Sequence, residues 1–257
     1  SNHQPLQMIN FFRRIRQQLL TENTFSKYLL YASGEIVLVV IGILIALSIN
    51  NWNEDRKDKV IEKATLYKFM QDLKSDSTYF QVNLGKMLSI DSLHIELYLA
   101  GFKEKEIIEH SNPSYIRRSL VYDPLARDND PNIANKINDD KIREEVQIYF
   151  RSMSTVEEAQ NEHEGVVFKI REFLGRHKLH NVQYWFDSKM LGTLSEGDAE
   201  NLIDESNLII ISKNADFQQL LFESSIKSNE MKQTLTKLIS DNSRLMSKIK
   251  KYINNND

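Results

Sequence analysis

Apolar and polar positions along the chain follow two different rules. Residues 29–49 read LLYASGEIVLVVIGILIALSI, with Glu35 as the single ionisable side chain, and residues 36–47 show no polar face. As an α-helix these 21 residues reach about 31 Å, one hydrocarbon thickness. Further along, apolar residues recur in alternating steps of three and four. The first such stretch is Leu66, Met70, Leu73, Ser77, Phe80, Leu84 and Met87, continuing towards Tyr98. The second is Ile142, Val146, Tyr149, Met153, Val156, Gln160, His163, Val167, Ile170 and Leu174. The third is Phe217, Leu221, Ser224, Ser228, Met231, Leu235, Leu238, Asn242, Leu245, Ile249 and Tyr252. Steps of this kind mark helices that bury one seam against neighbours.

The pattern predicts an all-α chain: one N-terminal transmembrane helix at 29–50, then a domain at 54–257 built as an antiparallel bundle of long, coiled-coil-like helices. Those helices are expected at about 54–100, 140–175 and 215–253. Asp139 or Asp140 is the expected N-cap of the middle one. Pro113, Pro124 and the run DNDPN at 128–132 place loop structure in the first connector. In the second, Leu208, Ile209, Ile210 and Ile211 read as a short strand or a buried turn.

The flanks of the apolar segment support a membrane reading. Tyr28, Tyr31 and Trp52 stand at its ends, where amphipathic rings favour the headgroup zone. Arg13, Arg14, Arg16 and Lys27 precede it, while residues 54–59 mix both signs. The excess of positive charge places the N-terminus in the cytoplasm and the rest beyond the membrane. Residues 8–28, with Met8, Phe12, Ile15 and Leu19 at helical spacing, form a basic amphipathic segment suited to the inner leaflet. The alternative there is an amphipathic turn held by a partner protein. Residues 1–7 read as an expression remnant or a processed leader. Two other readings of the apolar segment exist: a cleaved signal peptide ending near Ala46-Leu47-Ser48, and a core helix of a soluble protein.

Composition narrows the chemistry. Charged residues make up 27% of the chain, and eight Gly and four Pro leave few turn positions. A net charge of −3 carries no nucleic-acid footprint. With no Cys, disulfides, zinc–thiolate sites and thiol nucleophiles are excluded. No phosphate-binding loop, dinucleotide fingerprint, GxSxG or HExxH occurs.

A few residues remain as candidates. Glu35, Val39, Gly42 and Ala46 share one helical stripe, and Gly42-xxx-Ala46 permits close helix approach. Glu35 is either a proton-handling or partner-binding carboxylate, or a headgroup-depth residue paired with Lys27. Asp128–Asn132 superficially follows a calcium loop, but Ile133 replaces the glycine and Asp139 the final glutamate. His177 and His180 are three apart without a third ligand, and read as solvated or capping side chains. His163 falls on the middle seam, where a satisfied polar core residue is expected. Tyr184, Trp185 and Phe186 either plug the open end of the bundle or contact a ligand or partner. No cofactor and no metal are expected.

The stretches FFRRIRQQLL and FSKYLLYASGEIVLVVIGILIALSINNWNE resemble the N-terminal signature of a family of uncharacterised single-pass membrane proteins of Gram-negative bacteria, a domain of unknown function. The likeness is close over residues 8–54, with Ser33 and Ser48 departing from its usual residues, and loose in helical layout beyond. It implies an inner-membrane anchor and a periplasmic helical domain, and no activity. Taken together these readings predict a non-enzymatic protein of the inner membrane, a structural or accessory subunit in an envelope assembly. Its expected partners are the lipid bilayer and either a second copy of itself or another membrane protein. Two alternatives are a proton-coupled stator-type subunit using Glu35, and a periplasmic ligand-sensing bundle.

Overall fold

The computed structural model of the chain describes residues 17, 24–103, 108–109, 112–193 and 202–255. The expected leader and most of the basic amphipathic segment, including Arg13, Arg14 and Arg16, lie outside the described residues. Among those described there is no strand, only a single antiparallel bridge between His180 and Ile203. The chain divides into two compact units, residues 1–61 and 62–257. A first helix, α1 (Thr24–Phe102), contributes to both. The second compact unit begins at Glu62, and the helical turns just before it bury nothing.

In the first unit every described side chain from Ser26 to Ile61 is exposed. The large apolar residues between Ile36 and Ile49 are 46–70% exposed, on all sides of the helix. Among the described residues one helix is thus long and apolar enough to cross a membrane, and none of its apolar window is buried.

The second unit is built on α1 and two further long helices, whose short companions fill the connectors. A five-residue helix α2 (Leu125–Asn129) is followed by α3 (Asp140–Arg176), α4 (Val182–Met190), α5 (Glu205–Ser212) and α6 (Ala215–Asn255). Single 3-10 turns lie at Pro113–Arg117 and Ile133–Lys136. Asp139 caps α3 by accepting the amide of Ile142 at 2.9 Å, an arrangement worth about 1 kcal/mol. Asp204 caps α5 through the amides of Ser206 and Asn207. With that cap, the Leu208–Ile211 run becomes helix rather than strand or turn, and Leu208 is its buried anchor.

Two core clusters stabilise this unit. One gathers Leu66, Leu73 and Phe80 with Tyr149, Met153, Leu235 and Leu245. The other joins Leu93 and Leu97 to Ile170, Leu174, Phe217 and Leu221 under Ile203 and Leu208. Each such side chain contributes roughly 1.5–3 kcal/mol by leaving water. On α3 and α6 the heptad positions are the buried ones, apart from Gln160 and Tyr252, which are half-buried.

The α1 seam is set differently from its sequence pattern. The buried series is Glu62, Leu66, Phe69, Leu73, Asp76, Phe80, Asn83, Met87 and Ile90, ending on Leu97 and Ala100. Met70, Ser77 and Leu84 are half-buried, and Tyr98 is exposed. The polar members of the series are held by the first connector. Glu62 accepts the amide of Asn138 at 2.8 Å and its Nδ2 at 3.1 Å. Asp76 accepts the amides of Leu125 at 2.8 Å and Ala126 at 3.0 Å. Asn83 and Tyr79 both donate to the carbonyl of Val121, and Phe80 stacks on Tyr122 at 5.8 Å.

Contacts between the long helices also fix their directions. Glu145 pairs with Arg244 and Lys248, Ser152 with Asp241, and Glu162 with Lys227, so α3 and α6 run oppositely. Asn242 donates to the carbonyl of Leu73, and Gln218 to that of Leu97, so α1 and α6 also run oppositely. Phe69 meets Phe150 at one end of the unit, while Asp91 acts on His163 further along, so α1 and α3 run the same way. The expectation that consecutive long helices alternate therefore fails for that pair. The physical reason is the first connector, which is bonded along α1 at Asn83, Asp76 and Glu62 and so returns the chain before α3 begins.

Candidate functional site

Polar side chains on the three seams meet in one buried layer. On α1, Asp91 accepts from Ser228 and from Lys232 of α6, forming an ion pair with the latter. One turn later His94, 4% exposed, shares a 3.0 Å hydrogen bond between its Nε2 and the Ser224 hydroxyl. Its Nδ1 is buried without a partner. Facing it from α3, His163 is fully buried, and among the described residues neither ring nitrogen has a hydrogen-bond partner. The expected satisfied core histidine is thus an unsatisfied one. The groups at its level are engaged elsewhere, His94 with Ser224 and Asp91 with Ser228 and Lys232.

Burial dominates the titration of both rings. It pushes His94 down from 6.5 to about 4, with Asp91 opposing and His163 adding to the fall. His163 is likewise pushed by burial to about 4, again against Asp91. Both imidazoles are therefore neutral in the folded bundle near neutral pH.

Beside His94 the surface opens into a groove of about 520 Å³ between α1 and α6. Ile95, Tyr98 and Phe102 form one wall, and Leu221 and Phe222 face them. Tyr98 and Phe102 lie 5.2 Å apart. These are large side chains left in water: Phe102 is 62% exposed, Ile95 61% and Phe222 58%. Gln218 closes one end, donating to the carbonyls of Leu97 and Ser212. Gly101 is required there, since a Cβ would stand 2.5 Å from the Ser212 carbonyl. Sequence periodicity missed the groove because it carried the α1 seam on to Tyr98, which is exposed, and because Ile95 and Phe222 fall off the seams. Exposed aromatics beside a heptad were the only signal.

Glu35, Val39, Gly42 and Ala46 are all exposed on α1, and nothing lies within 4 Å of the position a Cβ would take at Gly42. Tyr28, Tyr31 and Trp52 are exposed at 74%, 82% and 65%. The Tyr184-Trp185-Phe186 cluster sits on α4, a helix with no buried residue, which corrects the plug reading. Its exposed Phe186 and half-buried Trp185 instead line a cavity of about 350 Å³. His177 ends α3, with Nδ1 2.8 Å from the Phe173 carbonyl and its ring stacked 4.1 Å from that phenyl. Asp128 belongs to α2, and the Ile133 that follows the DNDPN run is buried in the core. Among the described residues no group of three or more His, Asp or Glu side chains is arranged to hold a metal ion.

A family model described as "Family of unknown function (DUF6090)" matches residues 35–109, less than half of the chain. No curated protein and no solved structure matches it.

Proposed function

We propose that this protein is a single-pass membrane-anchored bundle that acts without catalysis, as an accessory subunit of an envelope assembly. In this reading residues 29–50 cross the inner membrane of a Gram-negative cell, the N-terminus is cytoplasmic, and the bundle stands in the periplasm. The observation that carries it is the apolar stretch of α1 from Ile36 to Ile49, exposed on every side. In water such a surface is strongly unfavourable, whereas in a bilayer it needs no protein cover.

Assembly is supported by the groove between α1 and α6. An open apolar channel between two helices suits the apolar face of a partner helix, read through anchors at helical spacing. Its exposed aromatics, Tyr98, Phe102 and Phe222, are of the kind that concentrate binding energy. The Gly42 and Ala46 stripe offers a second contact within the membrane. For the stator-type alternative, Glu35 lacks a companion charged group in the apolar segment, and no observation favours it.

Native mass of the full-length protein, gently extracted from its own membrane, tests this reading. The expected result is a mass above that of one 30.1 kDa chain, reduced to the single chain by Phe222→Glu. That residue is exposed, so the substitution leaves the bundle folded. A monomeric native protein, with no partner captured by cross-linking in membranes, contradicts assembly.

A further inference from the structure

The cavity beneath α4 is unusual in its charge. Arg117, at the end of the 3-10 turn, and His180, in the turn after α3, line it together with Trp185 and Phe186 of α4. Arg117 is half-buried, and among the described residues its Nε has no hydrogen-bond partner and its guanidinium forms no ion pair. Behind it, the Nε of Arg171 donates at 2.8 Å to the Arg117 carbonyl, which brings a second guanidinium close. The Nε2 of His180 is also buried and has no partner among the described residues. Burial first pushes both lining groups down, the Arg117 guanidinium and the His180 imidazole, which is therefore neutral near pH 7. Arg171 adds to the fall at Arg117, and Arg117 to that at His180.

Two neighbouring guanidiniums, unpaired with an acid among the described residues, are costly unless something anionic joins them. Half-buried arginine with free donors matches a planar carboxylate, which its fork can hold through two parallel hydrogen bonds. The rest of the wall is apolar: the indole of Trp185, the Phe186 ring and Val182. At about 350 Å³ the space is near the lower end of the usual range for small-ligand sites, about 300–1,000 Å³.

We propose that this cavity binds a small organic acid, its carboxylate held by Arg117 and His180 and its apolar body covered by Trp185 and Phe186. The site lies entirely within the bundle and does not depend on the membrane reading. Among the described residues it joins chain positions far apart, which is why no local motif announces it.

The chain has two tryptophans, Trp52 and Trp185, so a Trp52→Phe background makes Trp185 a sole reporter. Full-length protein in detergent is titrated with phenylacetate, with phenylacetamide as its neutral counterpart, and with inorganic phosphate. The expected result is a saturable change in Trp185 emission with phenylacetate, at an affinity roughly tenfold or more above that of the other two. Arg117→Gln is expected to weaken binding by a similar factor, while Arg176→Gln, an exposed residue at the end of α3, leaves it unchanged. If Arg117→Gln loses helical content, Phe186→Asp decides, because Phe186 is exposed and a carboxylate there repels the ligand. Equal responses to phenylacetate and phenylacetamide, no saturable response, or full affinity in the folded Arg117 or Phe186 variant would each overturn the proposal. Phosphate binding as tightly as phenylacetate would overturn the assignment of an apolar-bodied acid.

Discussion

Acidifying the protein from about pH 6.5 to about pH 4 is expected to strip several kcal/mol of stability from the bundle. His94 and His163 are held neutral by burial, each near 4 against 6.5 when unfolded. Across that window the unfolded chain takes up protons that the folded chain refuses, so the unfolded state gains. The contribution is complete above about 6.5, falls steadily below it, and levels off near 4. Each ring accounts for roughly 3 kcal/mol, an order-of-magnitude figure from about 1.4 kcal/mol per tenfold of proton affinity.

Other groups shape this dependence without reversing it. Asp91, which faces both rings, is paired with Lys232 and opposes their fall. Asp76 works in the opposite sense to the histidines, since burial raises its carboxyl. His163→Met isolates the effect. Because neither nitrogen of His163 has a partner, the substitution is expected to stabilise the bundle by roughly 1–2 kcal/mol near neutral pH. It should also about halve the acid slope. Chemical denaturation followed by circular dichroism at several pH values measures both quantities. A flat profile between 6.5 and 4, or an unchanged slope in His163→Met, contradicts the neutral buried pair.

Asp76→Ala is expected to be the most damaging single change on α1. Its carboxylate, 1% exposed, is the acceptor for the amides of Leu125 and Ala126 where α2 docks on the bundle. Without it two amides lose their partner, and Ala126 is fully buried. Each orphaned buried donor costs about 1–3 kcal/mol, so the total loss is roughly 2–6 kcal/mol. Asp76→Asn keeps one acceptor oxygen and should recover part of this. The same denaturation measurement, with Asp72→Ala as a half-buried control on the same helix, separates the outcomes. Equal losses at both positions would mean that the bonds to α2 contribute little.

Much of this architecture was legible because it is written in local periodicity. On α3 and α6 the steps from Ile142 to Leu174 and from Phe217 to Ile249 fall on buried faces, apart from half-buried Gln160, since apolar residues fill most of those positions. On α1 the same reasoning chose Met70 and Leu84 over Asp76 and Asn83. It weighed side chains by polarity, whereas the fold buries those two polar residues against the backbone of a connector. That docking is a long-range event with no local trace, and so is the parallel course of α1 and α3. The histidine layer was half legible: His163 lay on its seam, but the absence of partners emerges only from what surrounds it. Arg117 and His180 carried no motif, while Tyr184-Trp185-Phe186 did signal the place. Its reading as a plug failed because α4 rests over a cavity instead of inside the core.

The central claim is that one helix anchors the bundle on the far side of a membrane. Because the chain has no cysteine, single Lys27→Cys and Lys251→Cys variants, both at exposed positions, report their own side with a membrane-impermeant maleimide. In intact spheroplasts the account predicts that the Lys251 site labels fully and the Lys27 site only after lysis. Labelling of Lys27→Cys before lysis, or protection of Lys251→Cys until lysis, would contradict it.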